Sequence, residues 1–168
     1  MKRKTGLLLA ALVVLLCAFA LADVEINEDN FPDAHFRSIV KRSDRNGDGI
    51  LSDEEIAAVT LITCEDEEVS SLEGIGYFTN LQTLKCPSQK LRSLDLRKNT
   101  ALVTLDCSEN RLTNLNLSKN TALEVLDCGD NRLKKLDVTK NTALRELSCE
   151  GNQVTALDLG RNTKLKNV

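Results

Sequence analysis

The sequence has few aromatic residues: among its 168 residues there are no tryptophans, one tyrosine and four phenylalanines. A core of ordinary size must therefore come from Leu, Val, Ile, Ala and Cys, which is typical of a repetitive core. Histidine is scarce as well, since His35 is the only one. Because the sequence shows no histidine cluster, nucleophile-base pair or phosphate-binding loop, an enzyme is the weakest functional hypothesis.

Strong charge of one sign is also missing. The formal net charge of -3 at pH 7 is too small to indicate nucleic acid or an anionic membrane surface as a partner. One long apolar run occurs at the start of the chain, where residues 6–22 follow the basic residues 2–4. After it, no segment is apolar enough to predict a membrane span.

This opening segment, residues 1–22, predicts a secretory signal peptide. Its charged start, apolar centre and small-x-small end place the expected cleavage after Ala22, so we expect a secreted or cell-surface protein. A membrane anchor, which usually needs about 20 apolar residues, is one alternative. Lipid attachment to Cys17 is another, but the bulky Leu16 before it departs from the lipoprotein pattern.

The rest of the chain is repetitive. Beyond residue 22 there are five cysteines, spaced first by 22 residues and then three times by 21. A fixed period of this length identifies a solenoid, and an odd number of regularly placed cysteines argues against paired disulfides. The predicted organisation is a cap at 23–58, a degenerate first unit at 59–78, four full units at 79–162 and an unfinished unit at 163–168.

Each full unit approximates the pattern L-x-x-L-x-C-x-x-N-x-L, as in Leu102, Leu105, Cys107, Asn110 and Leu112. The pattern resembles the leucine-rich repeat, with cysteine at the third apolar position. Alternation around Leu105 and Cys107 indicates a short strand with one buried face. Strands of successive units should stack in parallel about 4.8 Å apart. The predicted fold class is an α/β repeat solenoid, a leucine-rich repeat array with units of about 21 residues and an N-terminal helix-loop-helix, EF-hand-like cap.

Asparagines recur at two positions of the repeat. In the leucine-rich repeat family, asparagines where the chain leaves the strand form a buried ladder that satisfies backbone groups, and here these are Asn110, Asn131 and Asn152. Gln89 takes this position in the first full unit, so we expect a weaker ladder there. A second column is expected to form the corner that returns the chain to the sheet. Its members are Asn99, Asn120, Asn141 and Asn162.

The cysteine column has two interpretations. A small apolar residue stacked turn on turn fills a narrow interior well, and free cysteine is among the most buried residue types. A metal or redox site would need histidine or C-x-x-C spacing, and neither accompanies the column. We therefore expect core packing from Cys64, Cys86, Cys107, Cys128 and Cys149.

A different motif precedes the repeats. The stretch DRNGDGILSDEE, residues 44–55, resembles the calcium loop of EF-hand proteins, in which positions 1, 3, 5, 7, 9 and 12 supply oxygen ligands around a glycine at position 6, here Gly49. The alternative is an acidic turn without metal. The predicted ligands of a calcium ion are Asp44, Asn46, Asp48, the carbonyl of Ile50, Ser52 and Glu55.

Helices are predicted on both sides of this loop. Phe36, Ile39 and Val40 have helical spacing, and a proline suits a first turn, so the incoming helix is expected to start near residues 30–32. Residues 53–58 are expected to form a short exit helix. A single extracellular EF-hand site binds calcium weakly, which suits a structural role.

A cap is needed because the first turn of a solenoid exposes an apolar edge, here the side of Val59, Ile62 and Cys64. An EF-hand-like helical cap fused to leucine-rich repeats resembles the internalins, which are secreted or surface-attached bacterial proteins. The resemblance implies a bacterial protein-binding module. The intact ligand set indicates that this cap keeps its calcium ion.

In such repeat proteins the strand face is the usual binding surface, and here its outward positions carry more acidic than basic residues. We predict that it binds a protein or another extracellular ligand that is basic. A polar face kept only for solubility is the alternative, because this face has no aromatic residues. The predicted centre of the partner site is Asp106, Asp127, Glu146 and Glu150.

Basic residues are concentrated on the opposite side of the units, where the chain returns to the sheet. These residues include Lys90, Arg92, Lys98, Arg111, Lys119, Arg132, Lys134, Lys135, Lys140 and Arg161. A last hypothesis concerns the unfinished unit, in which Val168 falls at the second apolar position and leaves an edge open to another chain. The alternative function is therefore an assembly unit that self-associates through this edge.

Overall fold

A computed structural model describes residues 23–64 and 68–167. The predicted signal peptide at 1–22 lies outside the described residues, and so does Val168. The described chain consists of a small helical cap followed by a stack of parallel strands. None of its helices within the described ranges is long and apolar enough to cross a membrane.

The cap contains two short helices around the acidic loop. Its elements are β1 at Val24–Glu25, α1 at Ala34–Val40, a 3-10 helix at Lys41–Ser43, β2 at Ile50–Leu51 and α2 at Asp53–Ala58. Strand β1 pairs antiparallel with β2, so the start of the cap is tied to the end of the loop. Helix α2 begins at a capping box, in which Ser52 accepts a hydrogen bond from the Glu55 N–H and the Glu55 carboxylate accepts one from the Ser52 N–H.

Helix α1 contains the predicted apolar residues Phe36, Ile39 and Val40, but it begins at Ala34, after Pro32, so the expected start near residues 30–32 is wrong. Asp33 is the N-cap, and its carboxylate accepts the N–H of Phe36 at 2.9 Å. Before it, the N–H of Phe31 donates to the Asn27 carbonyl in a separate turn. An aspartate before the first turn satisfies an otherwise free helix N–H, which fixes the boundary at this position.

The repeats form one parallel sheet in the order β3-β4-β5-β6-β7. The strands are β3 at Leu61–Thr63, β4 at Thr83–Lys85, β5 at Thr104–Asp106, β6 at Val125–Asp127 and β7 at Glu146–Ser148. Beyond β7, Asn167 makes an isolated parallel bridge with Glu146, which continues the sheet into the next turn. The architecture is thus a parallel-strand solenoid with few helices. A 3-10 helix at Ile75–Tyr77 lies in the degenerate first unit.

Register places identical positions of successive units side by side. Leu84, Leu105, Leu126 and Leu147 pair in sequence across β4 to β7, and all four side chains are buried. The middle residue of each strand therefore faces the interior, whereas the residues on either side face outward. Behind the sheet this leucine column packs with the cysteine column and with further buried residues of each unit, such as Leu102, Leu112 and Leu117.

The cysteine column lies in the core, as predicted. Cys64, Cys86, Cys107 and Cys128 are fully buried, Cys149 is half-buried, and none of the five forms a disulfide within the described residues. Burial raises the pKa of the Cys128 thiol to about 12 and the pKa values of the Cys86 and Cys107 thiols well above their usual range. These thiols are therefore protonated at neutral pH, and in that form they do not attack a disulfide.

The expected weakness of the asparagine ladder at Gln89 is wrong. The Gln89 Oε1 accepts the N–H of Val69 at 2.9 Å, and its Nε2 donates to the carbonyls of Cys64 and Pro87 at 2.7 and 2.9 Å. In the next unit Asn110 makes the corresponding bonds with the previous turn, to Leu91 N–H and to the Cys86 carbonyl. The longer glutamine side chain therefore keeps the ladder intact.

Candidate functional sites in the cap and on the strand face

The acidic loop is closed by hydrogen bonds from its own backbone. The two carboxylate oxygens of Asp44 accept the N–H groups of Gly47 at 2.7 Å and Gly49 at 2.9 Å. Asp48 accepts the N–H of Ile50 at 2.8 Å and the side-chain amide of Asn46 at 2.8 Å. Gly49 has a φ of 83°, a conformation that favours glycine, so the sharp turn expected at loop position 6 is present.

Glu55 closes the loop from helix α2. Although its side chain is largely buried, the N–H of Ser52, the N–H of Arg45 and the Ser52 hydroxyl donate to it and lower its pKa to about 2. The Arg45 N–H lies 2.7 Å from Oε1 and the Ser52 hydroxyl 2.8 Å from Oε2. The carboxylate is therefore charged at neutral pH and is aimed back at the loop.

The donor chemistry of the loop fits a calcium ion, since calcium takes carboxylate, amide, hydroxyl and carbonyl oxygens. Asp44, Asn46, Asp48, Ile50, Ser52 and Glu55 all lie on this loop or at its end. Each carboxylate oxygen that accepts one backbone N–H retains a second lone pair for a metal. Within residues 23–64 and 68–167, however, no three Asp, Glu, His or Cys side chains converge closely enough to hold an ion. Binding would therefore require these side chains to turn toward a common centre.

The second half of the acidic loop is paired with the start of the described chain. Val24 pairs with Leu51 and Glu25 with Ile50, and the N–H of Ile26 donates to the Gly49 carbonyl at 2.9 Å. These bonds fix the second half of the loop without a partner domain. A lone loop of this kind can therefore be ordered within one chain.

A polar bridge that no sequence pattern indicated joins the cap to the repeats. The same Asp33 carboxylate that caps α1 also accepts the Ser70 hydroxyl at 2.6 Å and the N–H groups of Ser70 and Ser71. Burial raises the pKa of Asp33, but these hydrogen bonds and that of Phe36 outweigh it, and the pKa lies below its usual value. The Asp33 side chain thus binds residues that follow it by 37 and 38 positions in the sequence.

On the strand face, the structure brings two of the four predicted partner residues together. Asp106 and Asp127 are opposite each other in neighbouring strands. Glu146 lies in the adjacent column, where its register partner is Val125. Glu150 follows β7, and its carboxylate accepts the Ser148 hydroxyl at 2.8 Å. The four residues share one face but do not form a single compact cluster.

Comparison with known proteins identifies the architecture. No protein-family model matches the sequence. The functional domain of InlJ from Listeria monocytogenes, which includes a cysteine ladder, matches 87% of this chain with a TM-score of 0.72 and 32% sequence identity. The repeats have the internalin-like leucine-rich repeat architecture. The cysteine column of this array is similar to the cysteine ladder of the InlJ domain.

Two further comparisons agree with the internalin-like fold. An internalin, InlF, from Listeria monocytogenes serotype 4b matches 87% of the chain with a TM-score of 0.77 at 22% identity, which shows the fold alone. Internalin J of the same serotype is 36% identical over 73 residues, or 43% of this chain. The chain spans far less than these relatives do: 8% of Internalin J, 37% of the InlJ domain and 45% of the InlF structure.

Proposed function

We propose that this protein is a secreted, internalin-like binding module whose strand face holds a basic protein and whose cap binds a structural calcium ion. The observation that carries the first part is the register of the sheet, which places Asp106 directly beside Asp127 on the outward side. Both side chains are half-buried at the surface of the sheet. Complementary charge across such a face steers a cationic partner and selects against anionic ones. The basic residues 2–4 and the apolar run behind them support export.

Reversing charge at the centre of the strand face should abolish most binding to a cationic partner. We expect Asp106→Lys plus Asp127→Lys to weaken retention on immobilised poly-L-lysine at least tenfold, because attraction becomes repulsion. The matched control reverses two exposed charges in the cap, Asp23→Lys plus Asp29→Lys. Surface plasmon resonance compares the pairs, and equal retention by both would show that only net charge matters.

The second part of the proposal concerns calcium. An extracellular module site has a dissociation constant of about 0.1 to 1 mM. At about 1 mM calcium, such a site stabilises the folded chain by roughly 0.4 to 1.4 kcal/mol through mass action. The loop connects α1 to α2, and Asp33 connects α1 to the first unit. A bound ion would therefore stiffen the cap that covers the apolar edge of the array.

Calcium titration followed by calorimetry and thermal melting checks this site. We expect one weak site and a rise in melting temperature, both lost in Asp44→Asn plus Asp48→Asn, which keeps the side-chain size but removes two ligand charges. The matched control, Asp23→Asn plus Asp29→Asn, removes the same charge from exposed positions in the cap outside the loop. No heat and no melting shift in the unmodified protein would contradict a calcium role and leave the strand-face proposal standing.

A further inference from the structure

The side of the solenoid opposite the strand face is net positive, whereas the chain as a whole is net negative. The segments in which the chain returns to the sheet, termed here the return side, are 90–98, 111–119, 132–140 and 153–161. Together they contain eleven basic and three acidic residues, a net charge of +8, in a protein whose formal net charge is -3. The basic residues are therefore gathered on one surface.

Four of these cations form a continuous column. Lys98, Lys119, Lys140 and Arg161 occupy the same position in successive units, and all four side chains are exposed. None of them forms an ion pair with any residue in the described part of the chain. This cation column therefore presents one exposed positive charge per turn of the solenoid.

The spacing of the cation column is fixed by the residues that follow it. Each column residue precedes a fully or almost fully buried asparagine. The side-chain amides of Asn120, Asn141 and Asn162 each donate to the backbone carbonyl of the equivalent asparagine in the previous turn, at 2.8 to 2.9 Å. Successive cations are thus carried on a rigid backbone that advances by one strand spacing, about 4.8 Å, per unit.

The acidic residues near the column are turned toward their own units. Asp95 is bound to Arg97 through Nε at 2.9 Å and Nη2 at 2.7 Å. Asp137 accepts the N–H and hydroxyl of Thr139, and Asp158 accepts the N–H of Gly160. These carboxylates therefore cap local turns. Asp95 also attracts Lys98 and Asp137 attracts Lys140, but neither pair is close enough to be an ion pair, and the return side keeps its net positive charge.

We propose that the cation column binds a linear anionic polysaccharide laid along the axis of the solenoid. A regularly spaced column of cations is complementary to a linear chain that carries anionic groups at intervals. Release of the counterions of that anionic chain would drive association. This surface is on the opposite side from Asp106 and Asp127, so the inference goes beyond the proposed strand-face partner. A protein partner and a polysaccharide would then occupy the module together.

Other polyanions fit the return side less well. Single-stranded nucleic acids stack their bases on exposed aromatic rings. In the described part of the chain Phe31, Phe36 and Phe78 are fully buried, and Tyr77 is half-buried with its hydroxyl bound to Asn30. Membrane-surface proteins insert apolar side chains, whereas within residues 23–64 and 68–167 the single exposed large apolar side chain is Leu61, in strand β3. A soluble polysaccharide needs neither feature.

The test measures binding of the purified protein to heparin as a sulfated polysaccharide, with neutral dextran, poly(A) RNA and phosphatidylglycerol vesicles as the other arms. The column variant is Lys98→Gln plus Lys119→Gln plus Lys140→Gln. The matched control, Lys41→Gln plus Lys85→Gln plus Lys166→Gln, removes three exposed positive charges elsewhere, so the two variants have the same net charge. Melting temperatures verify that both are folded.

We expect the unmodified protein to bind heparin but not dextran, with an affinity that falls as salt rises. The column variant should lose affinity at least tenfold and show a shallower salt dependence, and the control should stay within about threefold. Equal losses in the two variants would overturn the proposal, because total charge would then explain binding. It would also be overturned by absent heparin binding at low salt, or by RNA or vesicle binding as tight as that of heparin.

Discussion

A Phe31→Ala substitution is expected to lower the free energy of unfolding by about 3 to 5 kcal/mol, which is the usual cost of deleting a fully buried phenylalanine. The ring of Phe31 is fully buried and contacts three other rings, with centroid distances of 6.0 Å to Phe36, 5.6 Å to Tyr77 and 6.3 Å to Phe78. Phe36 belongs to the cap, whereas Tyr77 and Phe78 belong to the degenerate first unit. The loss therefore falls on the junction between them.

The junction has little room to rearrange around the missing ring. Gly74 has a φ of 95°, and a Cβ atom there would meet the carbonyl of Asn30 and the ring of Phe31. The backbone of the first unit is thus pressed against the cap, and its close approach depends on glycine. A cavity left by alanine at position 31 would be bounded by this tightly placed backbone, which favours the upper part of the expected range.

Equilibrium denaturation with two probes checks the Phe31 prediction. Tyr77 is the only tyrosine and there is no tryptophan, so tyrosine fluorescence would report the junction, and circular dichroism reports the whole chain. In Phe31→Ala we expect the tyrosine transition to precede the circular dichroism transition. Leu61→Ala serves as control, because Leu61 is 57% exposed and should change stability little. Coincident transitions with a loss below about 1 kcal/mol would contradict the prediction.

The fold of the repeat array could be predicted from the sequence because the same residue pattern occurs in every full unit. Every apolar position of the 21-residue unit recurs, so the burial of Leu105 or Cys107 is indicated several times over. A parallel register then follows from stacking identical units. Sequence reasoning failed at Gln89, where the pattern breaks, because side-chain reach decides whether a glutamine can make the bonds of an asparagine.

The cap was harder to predict because its contacts are not periodic. Asp33 carries a helix-capping signal in its own neighbourhood, yet the hydrogen bonds to Ser70 and Ser71 depend on how the cap docks. The pairing of β1 with β2 is likewise long-range. In the acidic loop, residue types reveal potential calcium ligands, whereas the convergence of their oxygens depends on side-chain rotations that no local pattern specifies.

The two asparagine columns should differ in their contribution to stability. We expect Asn131→Ala to lower the free energy of unfolding by about 2 to 5 kcal/mol, since several buried backbone groups lose their partner at once. The Asn131 Oδ1 accepts the N–H of Leu112 at 2.9 Å. Its Nδ2 donates to the carbonyls of Cys107, Cys128 and Gly129 at 2.9 to 3.2 Å. Alanine would leave a buried N–H without any acceptor.

Asn120→Ala should cost less, about 1 to 2 kcal/mol, although Asn120 is fully buried. Its Nδ2 donates to the carbonyls of Leu96 and Asn99, but its Oδ1 has no hydrogen-bond partner in the described part of the chain. Removing the side chain therefore also removes an unpaired buried acceptor, which offsets part of the loss. Asn114→Ala is the control, since that asparagine is exposed.

Denaturant titrations of the three asparagine variants establish the order of their effects, expected to be Asn131, then Asn120, then Asn114. In a solenoid each turn is stabilised mainly by its neighbours. Loss of one asparagine of the ladder therefore weakens the contacts between adjacent turns as well as its own unit. We therefore expect Asn131→Ala to broaden the unfolding transition, whereas Asn120→Ala keeps it sharp. Equal destabilisation by Asn120→Ala and Asn131→Ala would contradict this distinction between the two columns. It would mean that the Oδ1 atoms of the second column accept hydrogen bonds.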